Sequence, residues 1–296
     1  MTARAAWRRF APHLALAPML GVALVAYLGS TLWTLAVSFT PSRSFPVAGF
    51  AGLAAYERLF SNARWLLSLE NLALYGLLFV AAALVLGVAL ALAVDRVARG
   101  ASALRTIFLY PYAMSFIATG LVWQWLLNPG IGIQEAVRQW GVAGFVFDWI
   151  VDPDRVVYTL VLATAWQAAG LVMVIALAGL RNVDPEIRKA ARLDGIPAWR
   201  TTVSIVLPMI GPALATALLL LLASTVKLYD AVVAMTQGGP GTASEVPAKF
   251  IMDHLFGRAN IALASAGSIV LLLTVAALLA PVMIARAHGR SRLGGR

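Results

Sequence analysis

Three lysines, Lys189, Lys227 and Lys249, and three histidines, His13, His254 and His288, are the first places to look for chemistry in this sequence. No lysine follows a glycine, so the Gly-Lys-Ser/Thr core of a phosphate-cradling loop is missing. The histidines lie far apart without HExxH spacing, and there is no cysteine, so neither a metal centre nor a thiol nucleophile nor a disulfide is legible. No catalytic residue and no metal ligand is expected. What remains is the hydrogen-bonding chemistry of a few polar residues set in apolar runs. Lys227 and Asp230 stand three apart with Tyr229 between them, Gln124 sits between Trp123 and Trp125, and Gln167 follows Trp166. Such groups, beside aromatic faces, can replace the water shell of a polar solute. A charge deep in a bilayer costs roughly 2.5–3.5 kcal/mol or more, so these groups pair or face a water-filled cavity. Lys227, Tyr229, Asp230, Gln124, Trp166 and Gln167 are therefore candidates for a polar path. An ion pair between Lys227 and Asp230, as neighbours on one helix surface, stands as an equal alternative, and for the Trp–Gln pairs interhelical hydrogen bonding is the favoured one.

The elements that must position these residues follow from composition. The chain has 296 residues, 61% hydrophobic and 12% charged, against about 25% charged in a soluble domain. Six windows of 24 to 33 residues carry no Asp, Glu, Lys or Arg. A bilayer core takes roughly 20 apolar residues as a helix, and in lipid only a helix satisfies its own backbone along such a run. The expectation is an all-α polytopic membrane protein forming one domain over 1–296. Its six spans fall at about 12–40, 71–94, 106–128, 157–180, 203–228 and 262–285. A soluble enzyme, a nuclease and a disordered chain are excluded. The net charge of +10 is unevenly placed: 15 Lys and Arg lie on the side of the termini and 8 on the other. That asymmetry puts both termini in the cytoplasm and makes the charge a topology signal rather than a mark of nucleic acid. Arg286, Arg290, Arg292 and Arg296 could additionally touch anionic lipid. The first window is too long for a secretory signal and reads as an uncleaved anchor.

The loop 181–202 between the fourth and fifth spans carries the clearest local signals. Asp184 is a good N-cap, Pro185 suits the first helical position and Glu186 complements the dipole. Gly195 stands where a helix ends in a left-handed residue. One short helix of about ten residues follows from these caps. Ile187, Ala190, Ala191 and Asp194 share a face at i, i+3, i+4 and i+7, and the paired alanines allow close approach of another surface. The helix reads equally as a plug for a partner's groove and as an amphipathic helix on the membrane surface.

These residues resemble the signature loop of permease subunits of binding-protein-dependent ABC importers. Lys189-Ala190-Ala191, then Gly195, then Ile205-Val206-Leu207-Pro208 keep that family's spacing, with Lys189 where the family has Glu. The segment Lys227–Pro240, ending Thr-Gln-Gly-Gly-Pro, resembles that of carbohydrate-importer permeases, and Ser244–Lys249 is similar to the glucose/mannose type. The resemblance implies a type I importer permease fold in a bacterial inner membrane. It implies a coupling helix for ATPase subunits at Glu186, Lys189, Ala190, Ala191, Asp194, Gly195, Leu207 and Pro208. Glu186 is expected to compensate for Lys189. The partners implied are a second permease chain, two cytoplasmic ATPase subunits holding ATP and Mg, an external sugar-binding protein and membrane lipid, with no cofactor on this chain. The rival class, an ion-coupled secondary carrier, should show carboxylates within its spans. The six windows hold none, and Asp230 at a span end comes nearest.

Overall fold

The computed structural model describes residues 16–97 and 99–293, and all their side chains except those of 282, 283 and 285–293. His13, His288, Arg296 and the side chains of Arg286, Arg290 and Arg292, with the lipid contact expected of them, lie outside that description. Among the described residues every regular element is helical. In order they are α1 (Leu16–Ser38), α2 (Ala54–Phe60), α3 (Ala63–Asp95), α4 (Ala101–Ala113), α5 (Phe116–Leu127), α6 (Ile133–Gln139), α7 (Val156–Arg181), α8 (Pro185–Leu193), α9 (Ala198–Met209), α10 (Gly211–Val226), α11 (Asp230–Met235), α12 (Pro247–Met252) and α13 (Ile261–Leu293).

Among the described residues four helices are long and apolar enough to cross a bilayer alone: α1, α3, α7 and the Ile261–Pro281 part of α13. Two further stretches reach that length and apolarity only as pairs, α4 with α5 bent by 94° and α9 with α10 bent by 70°. Windows that read as single straight spans are thus broken, for local reasons. Pro111 lies inside α4, Met114 is extended, and the Ser115 side chain accepts from Ala118 N (3.1 Å), which starts a new helix in a new direction. At the second break Pro212 cannot donate to the preceding turn and its ring crowds it, and Ile210 leaves helical geometry with ψ 9°. Hydropathy registers length and apolarity, and neither bend alters those.

The chain divides into two compact units, Met1–Asn62 with Ile251–Leu272, and Ala63–Phe250 with Leu273–Arg296. In the first, the loop after α1 is tied to the start of α13 by Ile261 N to Arg43 O (3.0 Å) and Ala262 N to Ser42 O (3.2 Å). Phe39 and Tyr56 pack there at 5.5 Å, and the Ser38 and Tyr56 hydroxyls share a 2.8 Å hydrogen bond. In the second, α7 is the central helix, with 72% of its apolar window buried. Close packing around it depends on small residues, as is usual between membrane helices. A Cβ on Gly170 would lie 2.1 Å from the Phe108 carbonyl oxygen of α4, and one on Gly87 of α3 would lie 2.4 Å from Val172.

Candidate functional site

The segment 184–196 forms the capped helix that its residue types specify. The Asp184 side chain accepts from Glu186 N at 2.9 Å and Pro185 opens α8. At the other end Gly195 has φ +71°, Ile196 N donates to Ala191 O (2.9 Å) and Gly195 N to Arg192 O (3.1 Å). This pair of bonds is the Schellman arrangement that satisfies the last carbonyls.

The helix turns a different face outward from the one its apolar spacing suggests. Ala191 is buried and Ile187 half-buried; Ile187 packs against a cluster that includes Ala91, Leu177, Leu180, Val183, Val206 and Ile210. Arg188 donates from Nη1 to Asp95 Oδ2 at the end of α3 (2.7 Å), pinning α8 to that helix. Ile187 and Ala191 therefore mount the helix on its own chain rather than meeting a partner. Ala190 and Asp194 are exposed, together with Glu186, Lys189 and Leu193. Lys189 Nζ bonds Glu186 Oε1 at 2.7 Å within the helix. Both ends of this pair are solvated, so it adds little stability, but it brings a carboxylate beside the lysine. Leu193, 88% exposed, is a large apolar side chain at the tip of α8 that sequence reasoning missed. Its spacing, three and four residues after Ala190 and Lys189, was the available signal. Leu207 is half-buried against the same mounting cluster, and Pro208 is exposed.

The polar-path candidates separate. Lys227, Asp230 and Gln167 line one small cavity of about 70 Å³, narrower than a typical ligand pocket. The remaining walls are mostly apolar, aromatic from Tyr75, Phe79, Tyr112 and Phe116 and aliphatic from leucines and alanines, with Thr164 and Ser224. These lining residues were not among the sequence candidates. The legible signs were Tyr75 and Phe79 at i, i+4 and Thr164 and Gln167 at i, i+3, each pair on one helix face. Tyr75 and Thr164 hydroxyls are 2.9 Å apart, and the Tyr75 and Phe79 rings stack at 5.2 Å. Gln167 is buried; its Nε2 donates to Met114 O (2.9 Å) at the α4–α5 break, while its Oε1 has no partner. Buried acceptors are normally satisfied, and this one is both unpaired and enclosed.

Lys227 and Asp230 are not neighbours on one helix. α10 ends at Val226, Tyr229 has φ −123° and ψ −56°, and α11 begins at Asp230. No ion pair joins them among the described residues, and both are exposed to the cavity. Tyr229 is half-buried and does not line it. Gln124 lines a separate cavity with Asn128, Thr236 and Gly239. Trp166 packs edge-on against Trp123 at 5.8 Å, outside both cavities. The Gly238–Pro240 turn is held by Ser244 Oγ, which donates to Thr236 Oγ1 at 2.8 Å. Beside it Arg64 Nε donates to buried Glu245 Oε2, and Asn71 Nδ2 donates to the Ala243 and Glu245 carbonyls (2.8 and 2.9 Å). Among the described residues no group of three His, Cys, Asp or Glu side chains could hold a metal ion.

Residues 83–293 match the family described as binding-protein-dependent transport system inner membrane component. The chain is 32% identical to a probable ABC transporter permease protein of Pyrococcus horikoshii, over 89% of this chain and 91% of that one. It is 30% identical to the trehalose transport system permease protein of Mycobacterium tuberculosis, over 90% and 85%. Identity to the sn-glycerol-3-phosphate transport system permease of Agrobacterium fabrum is 27%, over 91% and 92%. In fold it is similar to a chain of a bacterial ABC transporter that imports the acidic polysaccharide alginate, with TM-score 0.79 at 20% identity, covering 96% and 98%.

Proposed function

The chain belongs to the family of inner membrane components of binding-protein-dependent transport systems, and from that premise we propose that it is the transmembrane subunit of an ATP-driven sugar importer. As a member of that family it is a multi-pass integral membrane permease and not the nucleotide-hydrolysing chain. The proposal adds a second permease subunit, two cytoplasmic ATPase subunits carrying ATP and Mg, an external sugar-binding protein, and a bacterial inner membrane with both termini inside. No cofactor is assigned to this chain.

The observation that carries the reading is α8: capped at both ends, fixed to α3 through Arg188 and Asp95, and presenting Ala190, Leu193 and the Glu186–Lys189 pair outward. A rigidly mounted helix with one exposed apolar tip is a lever for a partner's groove. The aromatic cavity with Gln167, Lys227 and Asp230 supplies the path for a neutral polyol. Rings cover the apolar faces of a sugar, and hydroxyls, amide and charges take its OH groups. Relatives named for trehalose and for xylose and arabinose support the carbohydrate class. The monosaccharide assignment rests on the likeness of Ser244–Lys249, whose Ser244 and Glu245 serve the turn and Arg64.

ATP closure would move α8 and open the cavity outward; the coupling contact must then differ in energy between the two states. The test is reconstitution with ATPase and binding protein in vesicles. Sugar-stimulated ATP hydrolysis and ATP-dependent uptake are expected. Uptake by this chain alone, without ATPase, would instead establish a self-sufficient carrier.

A further inference from the structure

A second cavity, about 250 Å³, lies between the end of α3, α8 and the start of α9. Three guanidiniums, those of Arg96, Arg188 and Arg192, face it against one carboxylate, Asp95. Asp95 is already engaged by Arg188 at 2.7 Å. The side chains of Arg96 and Arg192, both exposed, form no ion pair and no hydrogen bond among the described residues. The Thr201 and Thr202 hydroxyls donate to the Pro197 (3.3 Å) and Ala198 (2.8 Å) carbonyls, so the free donors are guanidinium N–H groups. Arginine does not lose its proton, and two unpaired arginines gathered on one cavity call for an anion.

The number of donors selects its chemistry. A carboxylate is satisfied by one guanidinium fork, whereas a phosphate offers two or three free oxygens to several forks at once. The cavity also has far more room than a bare tetrahedral oxyanion takes, and Leu92, Ala198 and Val206 give it an apolar wall. We propose that this cavity binds a phosphate group carried on a larger molecule, held between Arg96 and Arg192 beside the Arg188–Asp95 pair. Two sources share that chemistry: a phospholipid headgroup, which basic pockets at the cytoplasmic ends of membrane helices recognise, or a soluble phosphate ester. Either would tie the end of α3 to α8 a second time. The binding itself stands on this geometry, and only its consequence for coupling rests on the importer reading.

The test uses the purified full-length chain. Retention of phosphatidylglycerol against phosphatidylcholine is read by native mass spectrometry, and binding of inorganic phosphate and of glycerol 3-phosphate by thermal shift. The variants are R96Q/R192Q and, as a control on an exposed arginine outside the cavity, R200Q. Removing two phosphate-facing arginines should weaken binding by about tenfold or more, with R200Q like wild type. Preference for phosphatidylglycerol that the double variant loses identifies a lipid site. Binding of glycerol 3-phosphate alone, lost in the same variant, identifies a soluble ligand. Equal binding by wild type and R96Q/R192Q, or no binding of any probe, overturns the proposal without touching sugar import.

Discussion

Arg64→Ala tests how the 236–250 segment is held. Glu245 is 1% exposed, and one of its oxygens accepts from Arg64 Nε while the other has no hydrogen-bond partner. The Arg64 side chain is 20% exposed and its guanidinium also lies 6.0 Å from the centre of the Phe250 ring. Deleting it leaves a carboxylate almost without water and without that counter-charge. Breaking a buried pair in this way costs about 3–5 kcal/mol, and the partial exposure of Arg64 argues for the lower end, about 3 kcal/mol. At about 2–4 °C per kcal/mol for a domain of this size, the unfolding midpoint should fall by roughly 6–12 °C. The double variant R64A/E245Q removes the orphaned charge as well and should recover most of the loss, with a coupling energy of about 2 kcal/mol or more. The assay is thermal unfolding in nanodiscs followed by tryptophan fluorescence, for which Trp65, packed 5.2 Å from Phe250, is a local reporter. Two results would refute the reasoning: R64A melting with wild type, or the double variant melting as low as R64A.

Gln167→Leu deletes the unpartnered cavity acceptor and the bond to Met114 O; the KM for import should rise by about tenfold, the loss of about 1.4 kcal/mol, measured by radiolabelled sugar uptake. Ala191→Leu overpacks the buried side of α8 and should cost about 1–3 kcal/mol in thermal unfolding, whereas Ala190→Leu, on the exposed face, should leave unfolding unchanged and abolish sugar-stimulated ATP hydrolysis. Equal stability loss in both would mean that the exposed face of α8 is misassigned. Gly195→Val forces a β-branched residue into φ +71° at a cost of about 1–2 kcal/mol; membrane insertion should survive while uptake is lost. Gly170→Leu drives a side chain into the Phe108 carbonyl and should prevent α4 from seating on α7, read as loss of folded protein in detergent.

Much of this protein is written in local terms that a sequence displays. The caps of α8 depend only on Asp184, Pro185 and Gly195, and long apolar runs specify α1, α3 and α7 because lipid permits little else. The exposed face of α8 was not legible. Ile187 looks like a partner's contact until Ala91, Val206 and Ile210, distant in sequence, are seen to cluster with it, and Ala191 beside it is buried as well. The cavity was half legible for the same reason. Gln167, Lys227 and Asp230 announce themselves as polar residues in apolar surroundings, but Tyr75 and Phe79 look like ordinary core until α10 and α11 leave a gap beside them. The assumed Lys227–Asp230 adjacency failed because a helix break at Tyr229 has no Gly or Pro to signal it.

The two sites are joined by the helices that build both. α3 carries Tyr75 and Phe79 on the cavity wall and Asp95 at the α8 mount; Asp95 lies about 30 Å from Tyr75 and about 24 Å from Phe79 at 1.5 Å per residue. A displacement of α8 must either break the Arg188–Asp95 pair or move α3 as a rod, because close-packed interiors shift between discrete arrangements and do not stretch. α9 supplies the second connection: Val206 and Ile210 lie in the mounting cluster, and α10, which lines the cavity with Leu221 and Ser224, begins directly after the 70° bend. On the proposed reading the bend would let α9 follow α8 while α10 reorients, giving one rigid and one jointed connection to the same cavity. Two such connections moving unequally would change the shape of the cavity, where a single rigid one could only shift its position. On the proposed reading, this difference is what converts motion at α8 into a change of access.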